Sequence, residues 1–219
     1  MNKMICVVGA GYWGRNHIKS LDKLGSLSGV VDVNGNTLRQ IRLKFPKIRT
    51  HQSIEEALNY NYDGFIIATP ASSHFSIAKI IINHKKHVLI EKPMSLSVKD
   101  AEHLVYLSEK NNVNVIVGHV LLFHPAITKI KNLINEGRVG DLQYIYSNRL
   151  NLGKIRTEEN VFWSLAPHDI AIFQYFTDSY PKKIRASGSK FIQKGIHDST
   201  ITYLEYENGM EGHIFVSWL

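Results

Sequence analysis

The stretch that most limits how this chain can fold is Gly9-Ala10-Gly11-Tyr12-Trp13-Gly14. It follows an apolar run, Met4-Ile5-Cys6-Val7-Val8, that reads as a buried strand, and a helical pattern starts near Trp13. In the order strand, G-x-G-x-x-G, helix, each glycine has its own task. Gly9 makes the tight turn, Gly11 lets the main chain approach a pyrophosphate, and Gly14 lets helix and strand pack closely. The amides of the helix start, around Tyr12 and Trp13, then hold the anion where the helix dipole favours negative charge. A second strand, Gly29-Val30-Val31-Asp32-Val33, ends in an acid close to the expected spacing of about 20 residues. A carboxylate there accepts the ribose hydroxyls of NAD and repels a 2′-phosphate. Asp32 therefore points to NAD rather than NADP as cofactor.

Length and composition leave room for this reading. A chain of 219 residues can bury a sizeable core, as one large domain or two small ones. Apolar content of 44% and charged content of 21% are those of an ordinary globular protein. No apolar run is long enough to span a bilayer. The N-terminus has one lysine and is broken at once by Gly-Ala-Gly, unlike a secretory signal peptide. Cys6 is the sole cysteine, cannot form an intramolecular disulfide, and fits a cytoplasmic location. The net charge of +7 gathers in residues 39–49 and 79–92. Such clusters suit either nucleic acid or a solvated face on a protein whose ligands are polyanions. The lack of any nucleic-acid motif favours the second. Neither a metal, a nucleic acid nor a membrane is expected as a partner.

Strand and helix signals alternate through the first half. Asn34-Gly35-Asn36 is a turn and N-cap, and a basic amphipathic helix runs to about Phe45, stopping before Pro46. Ser53 and Glu56 predict a capping box on a short helix to Leu58. Strands are expected at Gly64–Ala68, His87–Ile90 and Val113–Val117, with helices from Ser72 or Ser73 through Ile82 and from Ser97 to about Asn111. Short, uniformly apolar strands in this order imply a parallel sheet with helices on both faces. Ligands bind beyond the carboxyl ends of such strands. Asp32, Thr69, Lys92 and His119 all fall there, and His119 either lines the pocket or packs.

The texture changes after Pro125. A helix at Ile127–Asn135 ends at Gly137, and Leu142–Leu150 then alternates, as in a sheet with two unlike faces. A helix around Ala166–Phe176 follows. Further alternating stretches lie at Lys183–Phe191, Thr200–Glu205 and Met210–Trp218, with Asn208-Gly209 as a hairpin turn. The expected fold class is thus α/β. Residues 1–120 form a Rossmann dinucleotide-binding domain, and residues 121–219 an α+β domain with an open, mostly antiparallel sheet.

These residues resemble the glucose–fructose oxidoreductase and inositol dehydrogenase family (Gfo/Idh/MocA) over the whole chain. Gly9-x-Gly11-x-x-Gly14, Asp32, Ala68-Thr69-Pro70 with His74, and Glu91-Lys92-Pro93 lie in the family's order and approximate spacing. The resemblance implies that Thr69, Pro70, His74 and Glu91 join the glycine turn and Asp32 in the cofactor site. It implies that Lys92 is the catalytic lysine beside nicotinamide and substrate, before a proline commonly preceded by a cis bond. It also implies that His168, on the first helix of an open-sheet second domain, is the acid and base. The chemistry agrees. Hydride transfer from a carbinol to NAD needs a base for the hydroxyl proton, and histidine titrates nearest neutrality. A nearby ammonium holds the oxygen, while nicotinamide performs the redox step. Bland alternatives stay open: Lys92 as a surface lysine after a strand, His168 as structural beside Pro167 at a helix start, and His74 as packing. His17, on the first helix, reads as structural.

The sequence also departs from the family pattern. The aspartate many members place four residues before the histidine is Ser164 here, with Asp169 adjacent to His168 instead. The run Val120-Leu121-Leu122-Phe123-His124-Pro125 lacks the arginine often found before the second domain. The segment from Tyr146 to Trp163 is similar to the nucleotide-sugar branch, whose members include dehydrogenases that oxidise the 3-hydroxyl of a UDP-N-acetylated sugar. Arg149, Lys154 and Arg156 would suit a pyrophosphate or carboxylate, or are solvated cations; with His119 and Asp169 they are the candidate substrate contacts. Ile214–Leu219 reads as a buried strand on which the chain stops, where relatives continue. The expectation is a second domain that is incomplete, or covered by another subunit through the C-terminal sheet, making a homo-oligomer. The competing functional reading is a dinucleotide-binding sensor without catalysis.

Overall fold

The computed structural model describes residues 3–152, 155–157 and 159–219. The chain divides after Gly118 into two compact units, two residues before the expected boundary.

The first unit is a six-stranded sheet in the order β3-β2-β1-β4-β5-β6, with every pairing parallel. Its strands are β1 (Ile5–Val8), β2 (Leu27–Val31), β3 (Arg49–His51), β4 (Gly64–Ile67), β5 (His87–Ile90) and β6 (Val115–Val117). The connecting helices are α1 (Tyr12–Lys23), α2 (Gly35–Lys44), α3 (Ile54–Leu58), α4 (His74–Asn83) and α5 (Val98–Asn111). The period of two along each strand divides the core. Val7 and Val30 pack with Ile18, Leu21, Leu38 and Ile41 of α1 and α2. Cys6, Val8, Phe65, Ile67 and Ile90 turn to the other face, against α3, α4 and α5. Burial of a large aliphatic side chain contributes about 1.5–3 kcal/mol, so helices on both faces make these uniformly apolar strands stable. The strand order reverses between β1 and β4. That switch point is where an open α/β sheet leaves a crevice for ligands.

The second unit contains α6 (Pro125–Asn135), β7 (Tyr144–Leu150), α7 (Val161–Thr177), β8 (Lys183–Ser189), β9 (Ser199–Glu205) and β10 (Glu211–Ser217). Its sheet runs β7-β10-β9-β8, with β10 parallel to β7 and the other pairings antiparallel. Phe173 and Val161 of α7 pack on Leu204, Ile214 and Val216.

Two expectations need correction. The first is the omission of β3, a strand of Arg49-Thr50-His51 with no apolar run, which survives as an edge because β2 supplies its hydrogen bonds. The second is the start of α7, which begins at Val161 rather than near Ala166, capped by Asn160 accepting from the Trp163 amide at 3.1 Å. Pro167 is therefore inside the helix, and His168 sits in its middle, not at its start. The proline resembled a first-turn residue, where its missing N–H costs nothing.

Candidate active site

The glycine turn is shaped as three glycines require. Gly9 has φ +92°, and a Cβ at Gly14 would come within 1.8 Å of the Gly9 carbonyl oxygen. At Gly11 a Cβ would meet nothing within 4 Å, so the main chain is open to a ligand there. Helices α2, α3, α5, α6 and α7 open on side-chain caps, whereas α1 opens on Gly11 with none and no acid in its first turn. Its first amides are thus donors for an anion. Tyr12 and Trp13 are exposed beside them.

Asp32 closes this turn from the next strand. Its Oδ2 accepts from the Ala10 amide at 2.8 Å and its Oδ1 from the Asn34 amide at 2.9 Å. Each carboxylate oxygen keeps a further lone pair for a ribose hydroxyl. Thr69 lies on the other side: a Cβ at Gly9 would be 2.8 Å from the Ala68 carbonyl and 3.0 Å from the Thr69 methyl. Ser73 donates to Thr69 Oγ1 at 2.8 Å, holding that turn, and Pro70 is exposed. Turn, acid and Thr69 thus meet on one sheet edge. These features fit a dinucleotide: open main chain, uncapped donors and an acid beside them.

His74 is not in that edge but behind it. It is 1% exposed, with Nδ1 2.8 Å from the Pro93 carbonyl and Nε2 2.9 Å from the Thr69 carbonyl. Both ring nitrogens are engaged by main-chain carbonyls, the arrangement the packing reading of His74 expects. It ties the turn after β4 to the one after β5.

Lys92 follows β5 at the same carboxyl edge, half-buried, and its bond to Pro93 is cis. Glu91 is turned inward. Its Oε1 lies 2.7 Å from His17 Nε2, and its Oε2 accepts from the Lys92 amide at 3.3 Å. Burial is the largest influence on Glu91 and pushes its carboxyl up. The His17 hydrogen bond and charge, with the Lys92 amide, outweigh it and hold the group below the usual carboxylate range. His119 follows β6 and opens the second unit.

In the second unit, Asp169 on α7 is 2% exposed. Its carboxylate accepts from Arg149 Nε at 2.7 Å, Arg149 Nη2 at 2.8 Å and Ser147 Oγ at 2.6 Å. This hydrogen bonding, more than the opposing cost of burial, raises the Arg149 guanidinium above its ordinary value. Asp169 and Arg149, both expected as substrate contacts, form a bidentate pair joining α7 to β7. Arg156 is exposed, its carbonyl accepting from Gln193 at 2.9 Å, and Lys154 lies outside the described residues. Asp198, unremarked in the sequence, is fully buried and accepts from the amides of Phe191 at 2.6 Å and Ile192 at 2.9 Å and from Trp218 Nε1 at 2.8 Å. The Ile192 amide, ahead of the opposing desolvation, holds its carboxyl below the usual range. The neighbouring His197 carbonyl accepts from the Val161 amide at 3.0 Å, tying this loop to the start of α7. Only the folded chain brings those partners together, so no local pattern marks Asp198.

Residues 3–119 match the family described as oxidoreductase, NAD-binding Rossmann fold (GFO/IDH/MocA), and residues 127–219 match the GFO/IDH/MocA C-terminal domain. The chain belongs to the Gfo/Idh/MocA family. The first unit of this Gfo/Idh/MocA chain is accordingly an NAD-binding Rossmann domain. Among relatives, the UDP-N-acetylglucosamine 3-dehydrogenase of Acidithiobacillus ferrooxidans is 27% identical over 96% of this chain and 66% of that protein. An uncharacterized oxidoreductase of Streptococcus pneumoniae is 24% identical over 92% of this chain and 59% of that protein. The chain thus spans about three fifths to two thirds of these relatives' length. The WlbA dehydrogenase from Bordetella pertussis, solved with NADH and UDP-GlcNAcA, shares the fold at a TM-score of 0.92 and 21% identity, over 100% of this chain and 73% of that one. Among the described residues, no helix is long and apolar enough to cross a membrane, and no group of acidic, histidine or cysteine side chains could hold a metal ion.

Proposed function

We propose that this chain serves an NAD-dependent dehydrogenase acting on a CH–OH group of a nucleotide sugar, the 3-hydroxyl of a UDP-N-acetylated sugar being the preferred reading. The observation that carries it is Lys92 at the end of β5, on the carboxyl edge that also holds the uncapped start of α1 and Asp32. The start of α1 and Gly11 hold the pyrophosphate, and Asp32 the ribose. NAD, when bound, supplies the hydride acceptor. Lys92 holds the reacting oxygen and stabilises its developing charge. His168 takes the hydroxyl proton. Arg156 and Lys154 suit the diphosphate of the sugar, and His119 is a further substrate contact. The kinship with a UDP-N-acetylglucosamine 3-dehydrogenase supports the substrate class. The free, buried Cys6 fits a cytoplasmic location.

The face of β7, β10 and β9 that bears Tyr146, His213 and Tyr203 in register is the surface through which we expect copies to associate. Tyr146 and Tyr203 are 62% and 54% exposed, more aromatic surface than a solvated sheet needs.

The test is Lys92→Ala. The variant is expected to bind NAD as the parent does while formation of reduced cofactor with UDP-sugars, followed by absorbance, is abolished. Unchanged turnover would remove Lys92 from the chemistry. A parent protein that binds NAD but reduces none of it with any UDP-sugar would leave the sensor reading in its place.

A further inference from the structure

The His17–Glu91 contact joins the phosphate-binding helix to the residue beside Lys92. His17 is a turn and a half into α1, three residues from Gly14 and four from Leu21, both on the buried stripe of the helix. Its side chain is 17% exposed and that of Glu91 11%. An ionised carboxylate only accepts, so His17 Nε2 carries the proton of this 2.7 Å bond.

The carboxylate of Glu91 is boxed in on three sides. His17 holds one oxygen from α1. The Lys92 amide holds the other. Beyond β6, a Cβ at Gly118 would stand 3.2–3.3 Å from the carboxyl carbon and both oxygens, a tight fit that a side chain there could take only by pushing the carboxylate a few tenths of an ångström. If this were merely a staple between helix and sheet, apolar side chains would serve as well, since a buried ion pair is often no more stable than its hydrophobic replacement. What the pair does that apolar packing would not is hydrogen-bond the main chain of Lys92. A lysine stem is flexible, so the main chain at its root is the part the fold can set. A misplacement of about 1 Å in a reacting group is enough to cost on the order of a hundredfold in rate.

We propose that His17 is a positioning residue: acting through Glu91, it sets Lys92 and couples occupation of the phosphate site at the start of α1 to the placement of that lysine. This rests on the reading of Lys92 as the substrate-facing lysine. A pyrophosphate received by the first amides of α1 seats the helix, His17 moves with the helix, and the hydrogen bond passes the adjustment to Glu91 and so to the Lys92 amide.

The experiment uses ADP-ribose, which fills the pyrophosphate and ribose sites but carries no nicotinamide to cover Lys92. The rate of Lys92 acylation by an N-hydroxysuccinimide ester is read by peptide mass spectrometry, with and without ADP-ribose. Three proteins are compared: the parent, H17L, and H17Q, whose amide nitrogen reaches about as far as the ring nitrogen. Calorimetry gives the ADP-ribose affinity of each. The expected result is an ADP-ribose-dependent change in Lys92 acylation in the parent and H17Q, its loss in H17L, and binding within about threefold throughout. With turnover, H17L lowers kcat on the order of tenfold to a hundredfold at unchanged KM for NAD, and H17Q recovers most of it. An equal response in H17L, no response in the parent, or loss of ADP-ribose binding in H17L overturns the proposal. If H17L fails to fold, H17N, polar but too short to reach Glu91, takes its place. Failure of both marks the contact as structural and also overturns the proposal. Acylation needs no turnover, so a parent that oxidises no nucleotide sugar defeats the dehydrogenase reading and leaves this test standing.

Discussion

Gly11 and Gly14 are three residues apart and are glycine for different reasons. A methyl at Gly14 collides with main chain, 1.8 Å from the Gly9 carbonyl oxygen, and no rotamer relieves it. A methyl at Gly11 meets no protein atom within 4 Å and intrudes only on a ligand. Gly14→Ala is therefore expected to lower the melting temperature of the first unit by roughly 5 °C or more. Gly11→Ala should melt as the parent does while weakening NAD binding by about tenfold or more, a loss of about 1.4 kcal/mol. Differential scanning calorimetry with a fluorescence titration separates the two. A Gly11→Ala protein with parental NAD affinity would put the pyrophosphate elsewhere. At this scale the sequence was legible where a residue type has one use. Histidine has many, and His74 and His17 show it. His74, whose spacing allows either a cofactor contact or packing, lies against two main-chain carbonyls, and His17, read as structural, meets the carboxylate beside Lys92.

Among the elements, α7 depends most on a single pair. Asp169 takes both forks of Arg149 and the hydroxyl of Ser147, so helix and β7 are joined through a nearly fully buried carboxylate. Removing one partner of such a pair leaves an uncompensated charge, which costs about 3–5 kcal/mol, whereas replacing both with apolar groups is often neutral. Asp169→Ala is expected to destabilise the second unit by about that amount in urea, and adding Arg149→Met to an Asp169→Leu background to recover most of it. NAD binding by the first unit should be retained in every variant. Equal stability of Asp169→Ala and the parent would show the pair to be incidental. Element existence followed from pattern for long runs such as α5, bounded by the Ser97 cap and Asn112 at φ +52°. It failed at β3, whose three polar residues become a strand only beside β2, and at the start of α7, where Pro167 imitated a helix beginning.

At the scale of the molecule, the open face of the second sheet leads to a prediction about assembly. Tyr146, His213 and Tyr203 form one row across β7, β10 and β9, with Tyr146 and His213 rings stacked at 5.5 Å. Tyr203→Glu sets a charge at the β9 end of this row and leaves the opposite, core-facing side chains untouched. It is expected to convert an oligomer to monomer in light scattering, with parental NAD affinity. A parent protein that is monomeric at every concentration would exclude this face as an interface between copies.

By itself the sequence determined the class of fold, the place of the glycine turn, the acid that follows β2 and the position of the lysine after β5. Each is written in neighbouring residues: apolar periodicity, a G-x-G-x-x-G run, caps, and breaks at proline. Tertiary structure alone decided which polar groups meet. Asp32 reaches back to the Ala10 amide, Asp169 closes on Arg149, Asp198 gathers Phe191, Ile192 and Trp218, and His17 finds Glu91 across 74 residues of chain. Hydrogen bonds and ion pairs act over a few ångströms, and only packing of the sheet and its helices brings such distant residues within that reach.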